Sequence, residues 1–247
     1  MKKKISLTIM LVALIILAFS SISVSAETVD SGECGENLIW ILDDSGTLTI
    51  SGSGEMYNYT NHDGYPDYYN YSPWCNDDRI ISVIVGDNVT NIGSNAFYSC
   101  NGITSVSIGN SVTSIGSGAF AKCTNLKGIT IPDSVTSIGD NAFSGCTGIT
   151  KIIIPGSVSN FGEWIFANCT ALTEAVIDSG ITEIGFGTFQ SCSNLRKVTL
   201  PNTLNVIGAQ AFTYCNMLSD IVIPDSVETI GHHAFISCSS LKEITIP

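Results

Sequence analysis

The chain has 247 residues, 44% of them hydrophobic and 13% charged, and its formal net charge at pH 7 is −12. So much apolar side chain with so few charges argues against an intrinsically disordered protein. The negative charge argues against nucleic-acid binding, because an acidic surface repels phosphate backbones. The length suits one elongated domain with a terminal cap.

Residues 1–26 have the pattern of an export signal. Lys2, Lys3 and Lys4 form a positive segment, residues 5–19 are almost entirely apolar, and residues 24–26 form a small-residue cleavage site. The alternative is an uncleaved membrane anchor, but the apolar run of about 15 residues is shorter than the roughly 20 that a spanning helix needs. We therefore expect a secreted or cell-surface protein that has no membrane insertion after cleavage. Removal of the three lysines would change its formal charge from −12 to −15.

Residues 27–79 do not repeat, and we interpret them as an N-terminal cap. Residues 38–42 and 47–51 flank the turn-forming residues 43–46, a pattern that predicts a β-hairpin. A hairpin at this place could cover the exposed end of a repeat array, which every solenoid needs.

Tyrosine is concentrated in one loop of the cap, which ends at Pro73 and Trp74. Glycine, proline, asparagine and aspartate between the tyrosines argue against regular structure. Tyrosine-rich polar loops make good contact surfaces, because each ring covers area at low entropy cost. The alternative is that the rings only pack the cap onto the first coil. The candidate ligand-binding residues of this loop are Tyr59, Tyr65, Tyr68, Tyr69 and Tyr71.

Residues 80–247 are dominated by a 23-residue unit that occurs seven times. Glycine recurs at this spacing from Gly93 to Gly231, and phenylalanine recurs from Phe97 to Phe235. Repeats of 20–50 residues are typical of solenoids. The chain stops at the opening of a further unit, so we expect an array truncated at its C-terminus. Cysteine marks each unit, at Cys100, Cys123, Cys146, Cys169, Cys192, Cys215 and Cys238.

Two periodicities share each unit. Ile129 and Ile131 alternate with small residues, which predicts a strand with one buried face. Ile138, Ala142 and Cys146 are four residues apart, which predicts a short helical turn. The predicted fold is therefore an α/β repeat solenoid with a parallel β-sheet on one face, short helical turns on the other and a small β-hairpin cap.

The cysteines of the repeat are predicted to be structural. A zinc site needs converging ligands, whereas these thiols lie one coil apart in a line. Disulfides between neighbouring coils are disfavoured, because in-register side chains hold Cβ atoms about 5 Å apart rather than about 3.8 Å. We expect buried free thiols that act as small hydrophobes. Cys34 and Cys75 lie in the cap of an exported chain, so a disulfide between them and two free thiols both remain open.

The unit resembles the BspA-type bacterial leucine-rich repeat, a surface-protein family with a 23-residue consensus close to I-P-x-S-V-T-x-I-G-x-x-A-F-x-x-C-x-x-L. Residues 131–154 match this consensus almost throughout, and residues 34–52 resemble the N-terminal cap of the family. The resemblance implies a curved solenoid, export, and adhesion or ligand binding at the cell surface. It supplies no catalytic residues.

Outward strand positions form two columns on the face that we expect to be exposed and concave. Lys151, Glu174, Lys197 and Asp220 alternate in charge along the first column. One interpretation is a self-neutralised series that fixes strand register. The other is a ligand-binding surface in which apolar side chains of the second column make contact and the charges set orientation. The candidate residues of the second column are Ile153, Val176, Thr199 and Val222.

We therefore predict a secreted or cell-surface binding protein whose partners are host matrix proteins, other cells or surface glycans. No cofactor, metal site or catalysis is predicted, because paired carboxylates, phosphate loops and nucleophile motifs are absent from the sequence. Two alternatives remain open: a structural spacer that displays a missing C-terminal module, and the non-catalytic part of a larger secreted enzyme.

Overall fold

The computed structural model describes residues 26–59, 72–74 and 77–246, and in these segments the regular structure consists of β-strands without helices. In chain order the strands are β1 (Thr28–Gly35), β2 (Leu38–Asp43), β3 (Thr47–Gly52), β4 (Ser82–Val85), β5 (Asn91–Ile92), β6 (Ser105–Ile108), β7 (Ser114–Ile115), β8 (Ser137–Ile138), β9 (Lys151–Ile154), β10 (Asn160–Phe161), β11 (Glu174–Ile177), β12 (Glu183–Ile184), β13 (Lys197–Thr199), β14 (Val206–Ile207), β15 (Asp220–Ile221) and β16 (Thr229–Ile230).

Successive coils of the chain stack through parallel strand pairs, so the molecule is a β-solenoid. Ile152 of β9 pairs with Ala175 of β11, which pairs with Val198 of β13, and each step is one 23-residue repeat. The first strand of each coil contributes to a surface that we call the strand face, built from the sheets β1-β2-β3-β4-β6 and β9-β11-β13-β15. The two-residue strands form the sheets β5-β7-β8-β10 and β12-β14-β16.

The alternation of the strands places aliphatic residues in the core. Ile152 and Ile154 of β9 are at most 1% exposed, whereas Lys151 and Ile153 between them are exposed. Burying one such aliphatic side chain contributes roughly 1.5–3 kcal/mol. Because one coil has few of them, stability depends on the burial and hydrogen bonds that neighbouring coils add.

The phenylalanine of each repeat stacks on the phenylalanines of the adjacent coils. The rings from Phe97 to Phe235 have centroids 5.0–5.7 Å apart and nearly parallel planes. We call this column the phenylalanine stack. Trp74 of the cap extends it, since its ring lies on Phe97 at 5.4 Å and its indole N–H donates to the Ala96 carbonyl at 2.8 Å.

The predicted short helical turns are wrong. In the segment 141–146, Ala142 and Ser144 donate their N–H groups to carbonyls three residues earlier, whereas Phe143 and Gly145 donate to the next coil. An α-helix is built from N–H bonds to carbonyls four residues earlier, and none of the N–H groups of 141–146 makes such a bond, so the segment is not an α-helix. Asn141 (φ 55°) and Gly145 (φ 72°) adopt the left-handed conformation that such a ribbon needs.

The spacing that predicted a helix still describes which side chains point inward. Ile138, Ala142 and Cys146 are all at most 1% exposed. The ribbon, whose hydrogen bonds alternate between its own turn and the next coil, therefore buries residues spaced four apart, as a helix would.

The cap hairpin is formed by β2 and β3, which pair antiparallel. The Asp43 carboxylate accepts hydrogen bonds at 2.9 Å from the backbone N–H groups of Ser45 and Thr47, which fixes the turn. β3 then pairs in parallel with β4, with Thr49 opposite Ile84. The cap is thus continuous with the strand face instead of only covering the end of the first coil.

Candidate functional site

The charged column of the strand face forms two separate ion pairs among the described residues. Lys151 Nζ lies 3.0 Å from Glu174 Oε2, and Lys197 Nζ lies 3.6 Å from Asp220 Oδ2. Both lysine side chains are 52% exposed. Exposed pairs of this kind contribute about 0–1 kcal/mol each, so the column can change without loss of the fold.

The neighbouring column exposes apolar side chains beside these charges. Ile153 is 47% and Val222 is 77% exposed, while Thr199 is exposed and Val176 is half-buried. Ile84 of β4 continues the column toward the cap and is 43% exposed. Ile84 is not among the residues of the column that the sequence predicted.

The strand face is interrupted at residues 127–131. Within the described part of the chain, this segment joins its neighbours on the face by a single weak bridge, Val106 to Ile129, and by one 3.3 Å hydrogen bond from Lys127 to Thr104. No backbone hydrogen bond between described residues connects 127–131 to 150–154. The equivalent bond from Thr173 to Thr150 in the next coil measures 2.9 Å.

Local sequence explains the interruption. A Cβ added to Gly128 would meet no atom within 4 Å, and glycine is a poor strand former. Pro132 has no N–H to donate, but Pro201 stands at the equivalent position after β13, which pairs with β11, so proline alone does not interrupt the face. Gly86 and Asp178 stand where most units have proline; Gly86 donates to Ile50 of the cap at 2.9 Å, and Asp178 donates to Ile154 of the preceding coil at 3.0 Å.

The interruption opens the core to solvent. Val106, Ile108 and Ile129 are only partly buried, whereas the equivalent Val83 and Ile152 are 1% exposed. A cleft of about 530 Å³ lies between the segments 127–131 and 150–155, and a second of about 630 Å³ lies between 106–108 and 130–134. We call the first of these the strand-face cleft.

The predicted tyrosine site lies mostly outside the described residues. Tyr65, Tyr68, Tyr69 and Tyr71 fall there, and their role stays a prediction. Tyr59 is described and is 5% exposed, with its ring 6.1 Å from that of Trp74. Burial raises its pKa. Tyr59 therefore packs the cap onto the first coil and is not a surface contact.

The possible disulfide of the cap also involves a residue outside the described segments, Cys75. Its partner in the prediction, Cys34, is fully buried, and burial raises the pKa of the Cys34 thiol to about 12. The bridge between them stays a prediction.

The repeat cysteines are buried beside the phenylalanine stack, and from Cys123 onward each thiol donates a hydrogen bond to the previous coil. Cys146 Sγ lies 3.0 Å from the Phe120 carbonyl oxygen, and the other five distances are 3.0–3.2 Å. Burial raises the pKa of Cys146 to about 12. The sequence analysis treated these cysteines only as small hydrophobes and missed their role as hydrogen-bond donors, which the periodic spacing alone does not show.

The described residues contain no group of three or more histidine, cysteine, aspartate or glutamate side chains that could hold a metal ion.

Trp164 and Phe186 lie in the turns of adjacent coils, outside the strands, and pack on each other. Their centroids are 5.0 Å apart in an edge-to-face arrangement, and the Trp164 indole N–H lies 3.1 Å from Gln190 Oε1. Trp164 has a φ of 52°, which is unfavourable for a bulky residue.

Comparison with known proteins identifies the class to which this solenoid belongs. The model of the BspA type leucine rich repeat region matches residues 74–173 and 166–247, in six copies. The chain therefore belongs to the BspA-type leucine-rich repeat family. No curated protein matches the chain.

Solved structures show the same fold. The leucine-rich repeat protein of T. pallidum is 26% identical, with a TM-score of 0.57 over 73% of this chain and 87% of that one. A leucine-rich repeat protein from Bacteroides ovatus is 23% identical, with a TM-score of 0.55 over 85% of this chain and 64% of that one. A leucine rich cell surface protein from Faecalibacterium prausnitzii is 22% identical over 91% of this chain and 95% of that one, but its TM-score of 0.29 carries no structural argument. The described part of this chain has no helix that could span a membrane.

Proposed function

We propose that this protein is secreted or displayed at the cell surface and binds proteins or glycans of other cells or of the host matrix through its strand face. The observation that carries the proposal is the exposure of Ile153 and Val222 beside the Lys151 and Lys197 ion pairs on one continuous surface. Family membership supports display at a surface. The function is binding, with no catalytic role for these residues.

The physical basis is that the strand face carries side chains that the fold does not need. Core positions such as Ile152 are buried, so they are constrained by packing. The outward positions contribute little to stability. Exposed aliphatic groups beside oriented charges provide apolar contact area together with specificity, which is the usual composition of a binding patch.

The test compares two sets of variants of the chain without residues 1–26. One replaces Lys151, Glu174 and Lys197 by alanine. The other is a control in which serine replaces Tyr214 and Ile236. These two side chains are 51% and 45% exposed and lie in turns outside the strand face. Binding to immobilised matrix proteins and to a glycan array is measured by biolayer interferometry.

We expect the alanine variant to lose at least about tenfold in affinity, the equivalent of 1.4 kcal/mol, with a melting temperature close to that of the wild type. The control variant should bind normally. Unchanged affinity of the alanine variant would remove the strand face from consideration. If neither variant loses affinity for any of these ligands, the result would favour a structural spacer.

Export has its own test. Expression of the full chain in a bacterial host, followed by N-terminal sequencing of the secreted protein, should give a mature chain beginning near Glu27. Retention of Met1 in a membrane fraction would contradict cleavage.

A further inference from the structure

We propose that the strand-face cleft binds an extended peptide segment, which adds as a strand to the edge of β9 that faces residues 127–131. The segment would have alternating β-branched residues with an acidic residue at one end and a basic residue at the other. This inference rests on the proposed binding function and names the ligand class of one part of the same face.

The first argument concerns backbone hydrogen bonds. β9 pairs with β11 on one side, and no backbone hydrogen bond among the described residues joins its other side to 127–131. Unpaired N–H and C=O groups on a strand edge are a template for another strand. Addition of a peptide strand to such an edge is an established mode of recognition, in which main-chain bonds supply affinity.

The second argument concerns apolar surface. Val106 and Ile129 are partly buried and, together with the outward-facing Ile153, they line the cleft. The inward-facing equivalents of Val106 and Ile129, Val83 and Ile152, are covered in the paired coils. Alternate side chains of an added strand would point toward this surface and cover it. Burial of apolar groups against this surface is favourable, and β-branched residues combine apolar surface with a preference for the extended backbone.

The third argument concerns charge. Lys127 and Lys151 line the end of the cleft where β9 begins, and Asp133 and Asp178 line the end where β9 finishes. A segment with one acidic and one basic terminus complements this arrangement, whereas a segment with two like charges is opposed at one end. Charge complementarity of this kind selects partners and fixes their orientation.

The probe is the capped synthetic peptide acetyl-Thr-Glu-Val-Thr-Val-Thr-Lys-amide. Its binding to the chain without residues 1–26 is measured by isothermal titration calorimetry. Two further peptides carry N-methyl groups, one on the odd-numbered and one on the even-numbered amides. Strand addition uses only one of these two sets, so we expect one methylated peptide to bind at least about tenfold more weakly than the parent and the other to bind almost normally.

A matched pair of protein variants tests the location. Gly128→Val places a strand-forming side chain where no atom lies within 4 Å, so we expect it to restore pairing of 127–131, to raise the melting temperature and to weaken peptide binding by at least about tenfold. Glu243→Val places a valine at the equivalent position five repeats later, which is exposed and away from the cleft, and it should leave peptide binding unchanged.

Equal binding of both methylated peptides and the parent would overturn the inference, as would undetectable binding of the parent peptide. Unchanged peptide binding by a stabilised Gly128→Val variant would also overturn it. These failures are distinguishable from failure of the proposed function. If the triple alanine variant still loses affinity for matrix proteins or glycans, binding by the strand face stands and only the peptide ligand is rejected.

Discussion

Truncation of one ring in the phenylalanine stack should have a cost that depends on its position in the solenoid. Phe143 is fully buried between Phe120 and Phe166, at 5.4 and 5.2 Å, with planes within 5° of parallel. A buried Phe→Ala substitution costs about 3–5 kcal/mol through lost transfer energy and the residual cavity. Phe143→Ala loses two ring contacts, each about 0.5–1.5 kcal/mol beyond burial, so its cost should lie in the upper part of that range.

Phe235 provides the matched control. It is only partly buried and, among the described residues, stacks on one ring, Phe212, at 5.3 Å. We expect Phe235→Ala to cost about 1–3 kcal/mol, because less apolar surface and one ring contact are lost. Urea unfolding of the chain without residues 1–26, followed by circular dichroism, measures both. Equal losses, or a loss below about 2 kcal/mol for Phe143→Ala, would refute the continuous stack as a main source of stability.

Two other predictions concern buried thiols and left-handed glycines. The pKa of Cys146 is raised from 9.0 to about 12 by burial, so the unfolded chain loses this proton first as pH rises. The free energy of unfolding should therefore fall by about 1.4 kcal/mol per pH unit for each such thiol between about pH 9 and pH 12. In urea titrations at several pH values, Cys146→Ala should make this decrease smaller by about 1.4 kcal/mol per pH unit. Gly187→Ala should lower stability by at least about 1–2 kcal/mol, because Gly187 has a φ of 58° and the new Cβ would lie 2.4 Å from the Trp164 ring. Gly145→Ala, with a φ of 72° but ordinary contacts, should lose less in the same thermal melts; an equal loss would contradict the clash with Trp164.

Several features of the fold could be predicted because they repeat. The 23-residue spacing of cysteine, glycine and phenylalanine indicated a solenoid and its family. The alternation at Ile129 and Ile131 predicted a strand, which is wrong for that segment, where Ile129 forms only an isolated bridge, although the equivalent segment of the next unit forms β9. Repetition makes such predictions strong, since the same side chain must meet the same environment in every coil.

The turns could not be predicted in this way. Ile138, Ala142 and Cys146 are buried in the same way by a helix and by the observed ribbon, so the hydrophobic pattern does not distinguish them. The difference lies in the N–H groups of Phe143 and Gly145, which bond to the next coil. A partner 22 residues away in the chain leaves no local signal.

The candidate site was also only partly predictable from the sequence. The charged and apolar columns followed from strand alternation alone, but the separate ion pairs of Lys151 and Lys197 depend on side-chain geometry. The burial of Tyr59 depends on where Trp74 lies in the cap. The sequence predicted a strand around Gly128 like those of the other units, and only the structure shows that the neighbouring coils do not pair there.

The sequence by itself determined which side chains point inward, because that choice follows from local periodicity repeated at a fixed spacing. Only the tertiary structure decided which backbone groups find partners in the adjacent coil and which do not. Hydrogen bonds between coils require both strands to be in register and close together, and among the described residues such bonds are absent between 127–131 and 150–154 although the repeat spacing is unchanged. The strand-face cleft is the result of this non-local condition.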